Sequence, residues 1–70
     1  MKISARNVLK GTVLSYEVGA VNVEVIIEIS PGLEITSVIT KNSFEKLGLE
    51  VGKEAYAIIK GSNVMIGVDS

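Results

Sequence analysis

From Val21 to Ser30 apolar and polar residues alternate almost without interruption. Val21, Val23, Val25, Ile27 and Ile29 fall on one side, Asn22, Glu24, Glu28 and Ser30 on the other, and Ile26 is the one exception. A period of two predicts a β-strand with one buried face. The β-branched residues strengthen that reading, since they fit a pleated, half-buried surface. Ser30-Pro31-Gly32 predicts a turn: proline presets φ and glycine supplies a positive φ. Leu33, Ile35, Val38 and Ile39 then form a second strand with less regular alternation, and Gly19 marks a turn before the first.

Residues 3–17 read as a longer extended segment with Ile3, Ala5, Leu9, Val13 and Leu14 as its apolar members. Gly11 inside it predicts a bulge or a sharp bend. Near the C-terminus, Ala55 to Lys60 and Val64 to Val68 predict two strands joined by Gly61-Ser62-Asn63, a three-residue hairpin connection. The segment Thr40 to Gly48 breaks the strand pattern. It offers several N-cap residues, including a capping-box-like Asn42 and Glu45 pair. Phe44 and Leu47 lie three apart on one face, and Gly48 suits a helix C-terminus. The expected order is β-β-β-α-β-β, an all-β chain. It matches an OB-fold-like, five-stranded Greek-key barrel with one short helix between strands 3 and 4.

Composition narrows the choice of function. Seventy residues make a single domain over 1–70. So short a chain is marginal alone and needs disulfides, a metal or oligomerisation. It has no Cys and no His, so disulfides are excluded and a zinc site is disfavoured. Oligomerisation is the remaining remedy, and the 47% hydrophobic content and mean hydropathy of +0.44 point the same way. Met1-Lys2-Ile3 running into Ser4, Arg6 and Asn7 is unlike a signal peptide, and no apolar run approaches the ~20 residues that span a membrane. A cytoplasmic location is expected. A formal net charge of −1 gives no general grip on nucleic acid.

Without His or Cys, acid–base chemistry falls to Asp, Glu, Lys or Tyr. Glu24 and Glu28 share a strand face, where carboxylates are ordinarily solvated. Gly48 to Lys53 resembles a phosphate loop only faintly: the glycine spacing is one residue short, and Glu54 replaces the Ser or Thr that meets magnesium. Single-strand binding by an OB-fold uses stacking aromatics over a basic groove, and the aromatics here are only Tyr16, Phe44 and Tyr56. What remains is a set of small donors near positive charge. Ser4 and Arg6 lie one residue apart, on the same side of an expected strand. Thr40 and Ser43 stand at the start of the short helix, an end that attracts anions. Lys60, Gly61 and Ser62 occupy the last hairpin, where glycine permits close approach. Such a mixture suits a dianion. Each feature also has an ordinary reading: helix caps, surface charges or turn filler.

Four blocks, in order and over nearly the whole chain, resemble the molbindins, molybdenum-pterin-binding proteins with a Mop or TOBE-type domain. They are Ile3-Ser4-Ala5-Arg6-Asn7 with Leu9-Lys10-Gly11; Val18-Gly19-Ala20-Val21-Asn22-Val23-Glu24-Val25; Ile39-Thr40-Lys41-Asn42-Ser43 with Leu47-Gly48-Leu49; and Ala57-Ile58-Ile59-Lys60-Gly61-Ser62-Asn63-Val64. The resemblance implies a non-enzymatic cytoplasmic homohexamer, a trimer of dimers, that takes molybdate or tungstate at subunit interfaces for storage or homeostasis. It implies no catalytic cofactor, nucleic acid or membrane. By motif, the oxyanion ligands are Ser4, Arg6, Thr40, Ser43, Lys60, Gly61 and Ser62, and a second oxyanion site is expected around Gly19, Ala20, Val21 and Asn22. Gly61 stands where similar sequences often carry Ala, a small change if the contact is a backbone amide. A single-stranded nucleic-acid module and a ligand-free assembly domain remain the alternatives.

Overall fold

In the computed structural model, which describes residues 1–69, four strands build one antiparallel sheet. They are β1 (Asn7–Val18), β2 (Asn22–Ser30), β3 (Leu33–Thr40) and β4 (Glu54–Ile59), in the order β3-β2-β1-β4. One helix, α1 (Lys41–Leu47), separates β3 from β4. The alternation in β2 sets the register. Val23, Val25 and Ile27 stand opposite Ile39, Ser37 and Ile35 of β3, while Val25 and Ile27 meet Tyr16 and Val13 of β1. These residues share the inner face of the curled sheet. Val13, Val23, Val25 and Ile27 form the buried cluster, with Ile29, Ile39, Phe44, Leu49 and Ala55 packed against it. The Phe44 ring lies 4.8 Å from that of Tyr16, so α1 docks through one aromatic contact, while Leu47 stays exposed.

Three local expectations are corrected. The bulge in β1 falls between Val13 and Ser15, not at Gly11. Gly11 instead marks a close approach: a Cβ there would stand 2.5 Å from the Glu28 carbonyl oxygen. The N-cap of α1 is Thr40, whose hydroxyl oxygen accepts the Ser43 amide, so the Asn42 and Glu45 pair does not open the helix. Gly48 closes α1 with φ of 61°, as its position predicts. The Lys53 ammonium adds bonds to the Leu47 and Gly48 carbonyls at 3.2 and 3.0 Å.

The third correction concerns the C-terminus. Gly61–Asn63 forms a 3-10 turn rather than a hairpin loop. Residues 64–69 take no part in the sheet, so the described residues hold four strands where five were expected. The 3-10 turn closes through the Val64 amide on the Gly61 carbonyl at 3.2 Å, and the chain leaves it without returning along β4. β3 and β4 therefore each keep an unpaired edge. The surface reflects this openness. The chain exposes 5564 Å², against roughly 4200 Å² for a compact monomer of its 7.4 kDa mass by surface scaling. No helix among the described residues is long and apolar enough to cross a membrane.

Candidate functional site

The pairing of β1 with β4 assembles a cleft at one end of the sheet. Asn7 opposes Ile59, so the segment before β1 meets the segment after β4. The Asn7 side-chain amide reinforces the junction by donating to the Ile59 carbonyl at 3.1 Å. Ser4, Ala5, Arg6, Asn7, Ile58, Lys60, Gly61, Ser62 and Asn63 line a cleft of about 660 Å³. Five of the seven residues expected to hold an oxyanion thus line one hollow. Ser4 and Arg6 arrive there by a different route from the expected one. They lie at bends before β1, not on a strand, and the turning chain delivers both to the cleft.

The cleft is built from donors. Within the 3-10 turn, the Asn63 amide donates to the Lys60 carbonyl at 2.9 Å and the Val64 amide to that of Gly61. The amides of Gly61 and Ser62 open the turn, and first-turn amides have no partner within a helical turn. No carboxylate lines the cleft. The single ion pair among the described residues is Lys10 with Glu54 at 3.2 Å, so the charges of Arg6 and Lys60 are not neutralised by an acid. Two cations, hydroxyls and free amides around a carboxylate-free hollow make a site for an anion rich in acceptors. The spacing of the motifs does not reveal the two further polar lining residues, Asn7 and Asn63. Their signal was positional, since each adjoins a residue already singled out.

Thr40 and Ser43 lie elsewhere. Thr40 pairs with Asn22, at the end of the sheet where β1 finishes with Val18, whereas the cleft sits where β1 begins. The 12 residues of β1 run roughly 36 Å along the strand, so the two groups cannot grip one small ion within a single chain. At that end the Thr40 hydroxyl caps α1 by accepting the Ser43 amide at 3.1 Å and donates its proton to the Ser43 hydroxyl at 2.9 Å. The Ser43 hydroxyl proton has no acceptor among these bonds.

The Gly19–Asn22 turn adjoins this second group through the Lys41 amide, which donates to the Val21 carbonyl at 3.0 Å. Gly19 and Asn22 line a shallow hollow of about 290 Å³ together with Glu17 and Glu24, which oppose each other directly across β1 and β2. The Gly19 amide is already engaged by the Asn22 carbonyl at 2.8 Å. Two facing carboxylates make this hollow electrostatically unlike the donor cleft.

Comparison with known proteins places these features in context. The TOBE domain model matches residues 3–66. A Haemophilus influenzae chain named "probable molybdenum-pterin-binding protein" is 55% identical over 69 residues, covering 99% of this chain and all of that one. Molybdenum-pterin-binding protein 1 of Clostridium pasteurianum is 48% identical over 66 residues, 94% of this chain and 97% of its own. Among solved structures, MopII of Clostridium pasteurianum superposes with a TM-score of 0.89 at 46% identity, covering 96% of this chain and all of that one. The cytoplasmic molybdate-binding protein ModG, with molybdate bound, gives a TM-score of 0.93 at 51% identity, covering 99% of this chain and 49% of ModG.

Proposed function

The chain belongs to the TOBE-domain family, in its molybdenum-pterin-binding branch, and on that premise we propose that it binds molybdate reversibly in the cleft framed by Ser4, Arg6 and Lys60–Ser62. The observation that carries this reading is the gathering of two cations free of acidic partners with hydroxyl and amide donors around a hollow that no carboxylate lines. The relatives' names supply the identity of the oxyanion. Binding needs no bond-making step, and the proposed role is intracellular storage or homeostasis in the cytoplasm rather than catalysis. Tungstate, similar in size and charge, is proposed as an equivalent ligand.

Because Thr40 and Ser43 lie at the far end of β1, we place them in the site of a neighbouring copy. One chain supplies Ser4, Arg6, Lys60, Gly61 and Ser62; another supplies Thr40 and Ser43. The ion then sits at a subunit interface in a homohexamer arranged as a trimer of dimers, and ligand and assembly stabilise each other. The surface excess of this chain over a compact monomer supports association. The five-stranded Greek-key barrel belongs to the same proposal, with a fifth strand completing the four of one chain. A second oxyanion site at Gly19, Ala20, Val21 and Asn22 would use the amides of that turn. It would require cations from neighbouring copies to offset Glu17 and Glu24. Selection against sulfate rests on cavity size. Selection against phosphate rests on its O–H, for which a cleft without a carboxylate offers only neutral acceptors.

Titration calorimetry of the native assembly with molybdate, with sulfate and phosphate as controls, tests the proposal. Saturable heat with molybdate alone is expected, and equal heat with sulfate contradicts it.

A further inference from the structure

Arg6 and Lys60 belong to chain segments that meet at one point. The ladder between β1 and β4 ends with Asn7 opposite Ile59, and each of these two residues adjoins one of the cations. Before that pair the chain is loosely held: among the described residues, the hydrogen bonds of loops and side chains do not involve residues 1–6. One bond reinforces the junction itself. Asn7 Nδ2 donates to the Ile59 carbonyl at 3.1 Å, across 52 positions of sequence. No other side-chain hydrogen bond among the described residues touches the lining of the cleft. Like charges on meeting segments repel, and no acid lines the cleft to offset them. Without an anion, the two cations therefore push these segments apart. Terminal segments are poorly ordered unless tied down, and this one is tied at Asn7.

We propose that Asn7 is a positioning residue of the anion site. Its side-chain amide holds Ser4 and Arg6 against Lys60, Gly61 and Ser62 before the anion arrives, so that binding does not have to order them. The inference rests on the binding proposal above and deepens it: Asn7 acts through the chain and not on the ion. An amide suits this task. The Ile59 carbonyl can only accept, so it turns Nδ2 toward itself and fixes the side chain. The bond also brings no charge to the cleft. An aspartate at this position would set an oxygen against that carbonyl and place a carboxylate beside the dianion.

A double-mutant cycle on the native assembly tests it. Asn7→Leu keeps the size of the side chain, removes the donor and adds no charge. In calorimetry its molybdate affinity should be about tenfold lower, the low end of the effect of ligand-orienting partners at metal sites. In an Arg6→Ala background the same change should cost less than about threefold, because the main group it positions is gone. Unchanged affinity in Asn7→Leu overturns the proposal. So does an equal loss in both backgrounds, since Asn7 would then act on the ion itself or on the fold at large. A second measurement needs neither a variant nor molybdate, and decides the matter if Asn7→Leu fails to assemble. In wild-type protein, 15N-{1H} NOEs at the Ala5 and Arg6 amides should match those of β1, and values typical of a loose terminus overturn the proposal. Wild-type protein with these amides ordered but no molybdate heat removes the binding proposal alone. Molybdate heat undiminished in Asn7→Leu removes this inference alone.

Discussion

The Thr40 hydroxyl donates to the Ser43 hydroxyl across 2.9 Å while accepting the Ser43 amide at 3.1 Å. The pair divides its labour. Thr40 caps α1 with a lone pair and gives its proton to the Ser43 hydroxyl, so the Ser43 proton is the one ready to serve an anion, and Thr40 joins it only by turning its own proton from Ser43 to the ion. Thr40→Val should destabilise the fold by about 1 kcal/mol, the usual worth of an N-cap, in urea denaturation. Ser43→Ala keeps the capped amide and should leave that midpoint nearly unchanged, while weakening molybdate by the ~0.5–1.5 kcal/mol of one neutral hydrogen bond.

Arg6 and Lys60 face a cleft with no acid to neutralise them. Arg6→Ala should lower molybdate affinity by ~1.5–3 kcal/mol, the range for a charged hydrogen bond. Calorimetry on the assembled variant measures this, and unchanged affinity removes Arg6 from the site. Lys60→Met should weaken binding in the same assay and leave the sheet folded by circular dichroism.

Gly11 has less room for a side chain than any other glycine of the chain. A Cβ added there would meet the Glu28 carbonyl oxygen at 2.5 Å and the Ile27 Cγ2 at 2.6 Å. The first is backbone and cannot rotate away, so β1 and β2 must part. Gly11→Ala should cost about 1–3 kcal/mol in denaturant unfolding, as overpacking does.

Lys10 bridges β1 to β4 through Glu54. Its hydrogen bond to that carboxylate, and then the attraction of the charge, raise its pKa above the ordinary 10.5. A raised folded value means that any stability from this pair is complete below pH 10.5 and fades only as pH climbs through the folded value. Between pH 6 and 9 the pair should add no slope to the stability curve. Lys10→Met and wild type should then run parallel in thermal melts across that range.

Periodicity exposed the parts of the fold that bury one face. Val21 to Ile29 reads as a strand because its alternate residues fill the core, and the Pro31-Gly32 turn follows from its own backbone chemistry, with φ of +82° at Gly32. Val64 to Val68 shows the limit of the same signal. Alternation identifies a segment able to pair, but not whether its own chain offers the partner. Gly11 illustrates another limit: a glycine in a strand announces a bend or a close approach without distinguishing them, since the neighbouring strand decides. At the cleft, the shared strand face that the sequence suggests for Ser4 and Arg6 does not exist, since both lie at bends. They nevertheless meet there because the Asn7 to Ile59 pairing draws both chain segments together. That Thr40 and Ser43 lie at the opposite end of β1 is invisible in motif order, because it depends on strand direction.

The central claim is that one anion is held by two copies, and complementation tests it most directly. Arg6→Ala chains and Ser43→Ala chains would each be assembled alone, then unfolded together and co-assembled in equal amounts, with molybdate binding measured by calorimetry. If the site is divided between copies, the mixture should regain about a quarter of the wild-type high-affinity sites, the random yield of one intact half from each parent. If each site lies within one chain, the mixture should bind as the average of its two parents, with no wild-type site regained, and the divided site would be contradicted.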